Sequence, residues 1–227
     1  MRIRTGVVAA VASVVLLAGC DGLPGRPDEA NRPLRPREVR DFARLWGENC
    51  AGCHGADGEL GPATPLANPT YLAWVDDGTL KQMIAEGIPG MTMHAFAQRA
   101  GGWLVDEQID DLVRQMRARW AKPLQGAAPP PFASAGTGDA SRGHAVWTQR
   151  CGSCHDPGGS GSPHGGSVTD PTYLALVSDQ ALRTAVVAGR PDLGMPDWRG
   201  GAAATPLTAQ EVGDVVAWMA SHRGGGA

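Results

Sequence analysis

The chain contains 227 residues, of which 42% are hydrophobic and 19% charged, and its formal net charge is −3. These values are typical of a soluble globular protein, and the length is sufficient for two small domains. The basic residues form no run or stripe, which argues against nucleic acid as a partner.

The N-terminus has the pattern of an export signal. Arg2 and Arg4 precede an uncharged apolar stretch at residues 6–19, which is too short to span a bilayer comfortably. Residues 17–20 (Leu-Ala-Gly-Cys) resemble the lipobox of bacterial lipoproteins. This resemblance implies cleavage before Cys20, lipidation of that cysteine and stable anchoring to a membrane. The alternative is an uncleaved anchor helix, which would also place the rest of the chain outside the cytoplasm.

Two segments lack hydrophobic periodicity and are rich in proline. Residues 21–36 hold four prolines and two glycines, which indicates a tether rather than a folded element. Residues 123–138 include three consecutive prolines at 129–131, which indicates a semi-rigid linker.

Helical spacing of apolar residues predicts three helices on each side of the linker, and no strand pattern of any length occurs. The second helix of each half starts near Asp77 or Ser178 and ends at Gly87 or Gly189. The last helix of the second half begins with Thr208 and Glu211 at capping-box spacing. The first helix carries Val39, Phe42, Ala43, Trp46 and Cys50 and has a counterpart from Asp139 to Cys151; the third carries Val105, Ile109, Leu112, Val113, Met116 and Trp120, or Val212, Val215, Val216 and Met219.

The two halves repeat each other in sequence. Residues 68–73 (Asn-Pro-Thr-Tyr-Leu-Ala) return as residues 170–175 (Asp-Pro-Thr-Tyr-Leu-Ala), an offset of 102. We therefore expect two copies of one all-α fold. The predicted organisation is a signal peptide at 1–19, a lipid-anchored tether at 20–36, a first domain at 37–122, a linker at 123–138, a second domain at 139–223 and a tail at 224–227.

Each half contains one C-x-x-C-H motif, at residues 50–54 and 151–155. This is the attachment signature of a c-type haem, in which two cysteines bind the vinyl groups and the histidine is held beneath the iron. A redox dithiol or half of a zinc site would be the alternatives for an isolated C-x-x-C. Because histidine follows in both copies and no further cysteine pair lies nearby, we predict two covalently bound haem c groups. The predicted attachment and proximal residues are Cys50, Cys53, His54, Cys151, Cys154 and His155.

The sixth iron ligand decides between an electron carrier and an enzyme. In the second half, Met195 lies in a Gly-Met-Pro loop and is the one methionine between the motif and the last helix. In the first half, the repeat offset places Met93 over Met195, while Met91 and His94 remain alternatives. The other methionines, Met83, Met116 and Met219, fall on apolar helix faces and are predicted to be core.

This combination of an amphipathic helix, C-x-x-C-H, a later methionine loop and a terminal helix resembles class I cytochromes c in their tandem, dihaem form. The resemblance covers residues 37–122 and 139–223. It implies that the first and last helices of each domain cross and enclose the haem. It also implies that the carbonyl groups of Pro62 and Pro163 face the proximal imidazoles, which would fix the orientation of each ring.

Histidine–methionine ligation saturates the iron, which leaves outer-sphere transfer of one electron per haem. We therefore expect an electron-transfer protein rather than an enzyme, with no small-molecule substrate. It would be anchored by its lipid with the haem domains on the periplasmic or outer face of the cytoplasmic membrane. It would serve a respiratory or photosynthetic chain, either as a carrier or as a cytochrome subunit of a larger complex. Partners would be a quinol-oxidising or dehydrogenase complex, a terminal oxidase or a soluble cytochrome. The alternative is a dihaem enzyme, such as a peroxidase or a thiosulfate-oxidising cytochrome.

Overall fold

The computed structural model describes residues 28–134, 136–200 and 204–224. The predicted signal peptide and Cys20 lie outside these residues. The chain divides into an N-terminal unit that ends at Glu38 and a larger unit that begins at Val39. No helix in the described ranges combines the length and the apolar character needed to cross a membrane.

The described part of the N-terminal unit consists of two single 3-10 turns, Glu29–Asn31 and Pro36–Glu38. The Arg32 guanidinium donates two hydrogen bonds to the Glu38 carboxylate, at 2.9 and 3.3 Å. These bonds, with a further one from the Arg35 amide, hold the pKa of Glu38 below its ordinary value.

The larger unit is helical, and its described residues contain isolated β-bridges but no strand. The predicted all-α fold class is therefore confirmed. Residues 39–121 (the first half) and 139–224 (the second half) hold the same five helices. In chain order these are α1 Phe42–Asn49, α2 Ala51–His54, α3 Pro69–Trp74, α4 Asp77–Glu86, α5 Asp106–Trp120, α6 Ala140–Arg150, α7 Gly152–His155, α8 Pro171–Leu176, α9 Asp179–Ala188 and α10 Ala209–Ala220.

Each half contains two short helices in addition to the three that the sequence predicts. The motif turns α2 and α7 have only four residues, and α3 and α8 have six, which are lengths too short for periodicity to reveal. The start of α3 is nevertheless encoded locally, since Asn68 caps it and Pro69 occupies its first turn.

The helix ends predicted at Gly87, Gly189 and Thr208 agree with the structure, whereas α1 begins at Phe42 and leaves Val39 outside the helix. The Thr208 hydroxyl accepts a hydrogen bond from the Glu211 amide, and the Glu211 carboxylate accepts one from the Thr208 amide, which completes the predicted capping box. Helices α4 and α9 end at Gly87 and Gly189, whose φ angles are +72° and +68°. A positive φ is a conformation that glycine adopts with little strain.

The first and last helices of each half pack against each other. Where α1 meets α5, the Phe42 ring stacks on Trp46, and Trp120 contacts both rings edge-on at 5.8 and 4.9 Å between centroids. Where α6 meets α10, Trp218 contacts Trp147 at 4.8 Å. The sequence pattern had not identified Trp218 as core.

A buried aspartate on the last helix is paired with an arginine near the start of each half. Asp111 is paired with Arg40, and Asp214 with Arg142. The Asp214 side chain is 3% exposed and also accepts a bond of 2.7 Å from the Asp139 amide. Chiefly because of the Arg142 hydrogen bond, the pKa of Asp214 is lowered to about 2.

The predicted linker lies across both halves. The buried Arg183 of α9 donates hydrogen bonds to the carbonyl groups of Pro131 and Phe132. The Trp74 indole of the first half donates to the Pro130 carbonyl at 2.6 Å, and its ring contacts Phe132. The linker is thus bound to both halves by its backbone carbonyl groups.

Candidate functional site

Each C-x-x-C-H motif forms one helical turn directly after the first helix of its half. Within these turns, Cys50 and Cys151 are half-buried, Cys53 and Cys154 are exposed, and all four thiols are free. Residues three apart on a helical turn lie on the same face. Each turn therefore presents two thiols to one neighbouring group.

The first cysteine of each motif is not activated as a thiolate. Burial raises the pKa of Cys50 to about 12 and that of Cys151 to about 11. Catalytic C-x-x-C pairs instead have a cysteine whose pKa is lowered, because the thiolate is the reactive form. Cys50 and Cys151 therefore lack the lowered pKa of a catalytic dithiol.

The two histidines are oriented in the same way. His54 Nδ1 lies 2.7 Å from the Thr64 carbonyl oxygen, and His155 Nδ1 lies 2.9 Å from that of Gly166. Because a carbonyl oxygen can only accept, Nδ1 carries the proton in the neutral ring, which leaves the lone pair on Nε2. Burial also lowers the pKa of His54, which favours the neutral ring. Both histidines are thus prepared to bind a metal through Nε2.

The expectation that Pro62 and Pro163 supply these carbonyl groups is wrong. In the first half the Ala63 amide donates to the Cys53 carbonyl at 3.0 Å, which fixes the loop against the motif at Ala63. The carbonyl group that reaches the His54 ring is therefore that of the following residue, Thr64. In the second half Ser162 and Gly165 are hydrogen-bonded to each other, and this tight turn moves the acceptor on to Gly166.

The motif tryptophans hold the residue that follows each histidine. Trp46 Nε1 donates to the Gly55 carbonyl at 3.1 Å, and Trp147 Nε1 donates to the Asp156 carbonyl at 3.0 Å. The rings lie 6.3 and 5.6 Å from those of His54 and His155. These tryptophans therefore tie the first helix to the histidine turn.

Met93 and Met195 occupy equivalent positions in the two halves. The Met93 carbonyl accepts from the Ile88 amide at 2.9 Å, and the Met195 carbonyl accepts from the Arg190 amide at 3.0 Å. Beneath each loop lies a helix-ending glycine, and a Cβ on Gly87 or Gly189 would come within 2.7 Å of the methionine carbonyl oxygen. Only glycine fits this approach in either half.

The two alternatives in the first half have other contacts. The Met91 sulfur accepts a hydrogen bond from Ser178 Oγ at 3.4 Å. His94 is exposed, and its ring contacts Phe96 at 4.4 Å and Trp103 at 5.5 Å. Trp103, which sequence reasoning did not single out, also donates to Asn49 next to Cys50 at 2.5 Å. Met93, by contrast, packs on the same core cluster as Cys50.

Comparison with known families agrees with this pair of sites. The model of the family described as "Cytochrome C oxidase, cbb3-type, subunit III" matches the chain twice, over residues 37–116 and 138–219. The chain belongs to this family. The predicted tandem of cytochrome c domains is thereby confirmed. Such domains bind haem c, and the two cysteine pairs of this family member fit two haem c groups.

Curated relatives carry the name of the same oxidase subunit. The cbb3-type cytochrome c oxidase subunit FixP of Azorhizobium caulinodans is 30% identical over 190 residues, covering 74% of this chain and 59% of the relative. FixP of Bradyrhizobium diazoefficiens is 26% identical over 173 residues, covering 69% and 53%. Subunit CcoP of an Azospirillum species is 29% identical over 137 residues, covering 53% and 42%. The chain therefore spans about half the length of the curated relatives it matches.

The donor groups at each motif fit a covalently held haem. Each turn offers two free thiols, and each histidine presents an Nε2 lone pair. In the described part of the chain, no group of three or more His, Cys, Asp and Glu side chains could hold a bare metal ion. Two thiols and one imidazole nitrogen at each turn are the protein groups with which a c-type haem is held.

Proposed function

We propose that the chain is a dihaem electron-transfer subunit that works with a terminal oxidase of the cbb3 type. The observation that carries this proposal is the presence, in both halves, of a two-thiol turn, a histidine with a free Nε2 and an equivalent methionine loop. The names of the curated relatives support the oxidase as partner. When bound, each haem c supplies one-electron chemistry, since its iron accepts and releases a single electron.

The residues of each half divide the work of holding the group. Cys50 and Cys53 would hold the haem of the first half through thioethers, and Cys151 and Cys154 would hold that of the second. His54 and His155 would bind the iron through Nε2. The carbonyl groups of Thr64 and Gly166 keep these rings in the correct tautomer and orientation.

Met93 and Met195 supply the sixth ligands in this proposal. Their loops share the same backbone bond and the same glycine beneath it, while the Met91 sulfur is engaged by Ser178. If the histidine and the methionine of each half both bind the iron, the protein would leave no coordination site for a substrate. A carrier role therefore fits this chain better than that of a dihaem peroxidase or a thiosulfate-oxidising cytochrome.

The location of the protein is part of the proposal. Lipidation at Cys20 would tether the haem domains to the outer face of the cytoplasmic membrane, next to an oxidase complex. A Cys20→Ser variant should leave the membrane fraction while retaining both haem groups. Retention in the membrane by a Cys20→Ser chain would instead point to an uncleaved anchor or to the partner complex.

Absorption and electron paramagnetic resonance of the purified holoprotein test the ligand assignment. The ferric protein should contain two low-spin haem groups and show the near-infrared sulfur-to-iron band. Met93→Ala and Met195→Ala should each remove about half of this band, because each removes one sulfur ligand. Met91→Ala is the matched control and should leave the band intact. A high-spin haem in the native protein, or turnover of peroxide, would overturn the carrier assignment.

A further inference from the structure

The loop that carries Met195 rests on the first half of the molecule. We call residues 188–197 the Met195 loop and residues 60–70 of the first half its seat. Five hydrogen bonds connect them. They are Leu60 N–H to Asp192 Oδ2 at 3.0 Å, Arg190 Nη2 to the Gly61 carbonyl at 3.0 Å, Asn68 Nδ2 to the Ala188 and Gly189 carbonyls at 2.8 and 3.4 Å, and Thr70 Oγ1 to Asp197 Oδ2 at 3.1 Å.

The equivalent loop around Met93 has far less support from the other half. Within the described residues, its hydrogen bond to the second half is the single one from Ser178 Oγ to the Met91 sulfur, at 3.4 Å. Sulfur is a weak acceptor, so this contact contributes little compared with bonds to carbonyl and carboxylate oxygens. The two methionine loops therefore share a backbone shape but differ in what holds them.

Arg190 connects the seat to Met195 directly. Its backbone amide and carbonyl are both hydrogen-bonded to Met195, at 3.0 Å each. Its guanidinium donates to the Asp192 carboxylate at 2.8 and 3.0 Å and reaches on to the Gly61 carbonyl. The Asp192 side chain is 2% exposed, and a buried carboxylate that loses its partner is strongly destabilising. The ion pair thus holds the loop and the seat together.

Asn68 provides an independent connection, which the repeat makes visible. In both halves this position caps a short helix: Asn68 Oδ1 accepts from the Thr70 and Tyr71 amides, and Asp170 accepts from the Tyr173 amide. An amide can also donate, and Asn68 Nδ2 does so to the Ala188 carbonyl. A carboxylate has no such donor. The first half therefore has asparagine at this position, where the Ala188 carbonyl of the second half needs a donor.

The seat also lies next to the first histidine turn. The Ala63 amide donates to the Cys53 carbonyl, and the Thr64 carbonyl accepts from His54 Nδ1. One short segment therefore orients the histidine of the first site and carries the methionine loop of the second.

We propose that Arg190, Asp192 and Asn68 are positioning residues for Met195, which keep its loop closed by holding it on the seat. The inference rests on the proposed role of Met195 as an axial ligand. Release of the Met195 sulfur then requires the contact between the halves to open, whereas release of Met93 does not. The second site should therefore resist displacement of its methionine more strongly than the first.

The test is the rate at which imidazole replaces methionine in the purified ferric holoprotein. This replacement requires the sulfur to leave first, so the rate reports on loop opening. The phase that disappears in Met195→Ala belongs to the second site. Arg190→Gln should make this phase about tenfold faster, because it removes hydrogen bonds to a charged group, and should leave the Met93 phase unchanged.

Matched variants separate positioning from general destabilisation. Arg142→Gln breaks a similar pair with the buried Asp214, in the same half but outside the Met195 loop, and should not alter the rate. Asn68→Asp keeps the cap, loses the donor and should also accelerate the Met195 phase, while Asp170→Asn should not. Asn68→Asp also serves as the test if Arg190→Gln does not fold.

Two results would overturn the inference, and a third would overturn the ligand assignment on which it rests. Native rates in both Arg190→Gln and Asn68→Asp would overturn the inference. Equal acceleration by Arg142→Gln would overturn it too, since the effect would then be general. If Met195→Ala retained the full sulfur-to-iron band, the ligand assignment itself would fail, and this outcome is read before any rate is compared.

Discussion

The two halves achieve the same contact between first and last helix with different side chains. In the first half, Phe42 packs against both Trp46 and Trp120, and the three aromatic rings fill the contact. The corresponding residue of the second half is Gly143, and there the helices approach at the backbone. A Cβ on Gly143 would overlap the Asp214 carbonyl oxygen. The same fold can therefore form this helix contact either with aromatic rings or with closely packed backbones.

The last-helix tryptophans lead to the same conclusion. Counted from the helix starts, Trp120 of α5 and Trp218 of α10 are not equivalent positions. Both nevertheless contact the motif tryptophan, and both lie against a glycine of positive φ, Gly58 or Gly159. What the halves share is thus the position of an indole ring in space rather than its position in the sequence.

The largest effect is expected from Gly143→Ala. The added methyl group would overlap the Asp214 backbone and approach Trp218 Cβ to 2.9 Å. Relieving this overlap requires the backbone of α10 to shift, which costs free energy. We expect a loss of about 3 kcal/mol in the free energy of unfolding of the second half. Urea unfolding followed by circular dichroism measures this loss.

Gly47→Ala is the matched control, since Gly47 lies inside α1 and a Cβ added there would meet no atom within 4 Å. Alanine has the higher helix propensity, so this change should stabilise the first half by about 0.5–1 kcal/mol. A destabilised Gly47→Ala, or a neutral Gly143→Ala, would contradict the difference between the two helix contacts.

A smaller effect is expected from Asp214→Asn, which tests the ion pair that both halves share. At neutral pH the loss should be about 2 kcal/mol, because the carboxylate accepts charge-assisted bonds from Arg142. The folded pKa of about 2 lies below the ordinary value of 3.8, so this stabilisation is complete above pH 3.8 and is lost as the pH falls towards 2. The difference between native and variant unfolding midpoints should therefore shrink over that interval. A difference that stayed constant down to pH 2 would show that the charge is unimportant.

Much of this architecture could be predicted from the sequence. The two motifs, the 102-residue offset and the helical periodicity led to two all-α copies with one haem site each. Strong local signals were also dependable, as the capping box at Thr208 and Glu211 shows. These features depend on neighbours in the chain, which a sequence displays directly.

Features that depend on distant groups were not predictable. The histidine acceptors were expected at Pro62 and Pro163, but loop closure onto the motif places Thr64 and Gly166 there. Trp218 was missed because its partner, Trp147, belongs to another helix and the repeat offset does not align it with Trp120. The Met195 seat likewise depends on which loops of two separate halves meet.

An exchange of caps sharpens the comparison of the two halves further. Asn68→Asp should reduce the free energy of unfolding by about 1–2 kcal/mol, because the Ala188 carbonyl loses its donor and faces a carboxylate. Asp170→Asn changes the same chemical group in the other half and should alter stability by only about 0.3 kcal/mol, since both residues are good caps. Thermal unfolding of the two variants side by side gives the comparison. Equal losses would contradict this expectation, because the bond from Asn68 to the Ala188 carbonyl would then contribute nothing to stability.

The smallest expected effect concerns the backbone of the seat itself. Leu60 has a φ of +62° and is 68% exposed, while the matching residue of the second half is Gly161, with a φ of +94°. A left-handed leucine is strained and its side chain buries little, so Leu60→Gly should stabilise the protein by about 0.5 kcal/mol after the entropy of glycine is counted. The amide that donates to Asp192 is retained, so the imidazole rate at the second site should stay native.

The reverse change, Gly161→Leu, should be clearly destabilising, because its Cβ would lie 2.8 Å from the Ser167 amide nitrogen. A stability loss in Leu60→Gly would mean that the leucine side chain itself contributes to the seat, and that the strain at this position is compensated by contacts of that side chain.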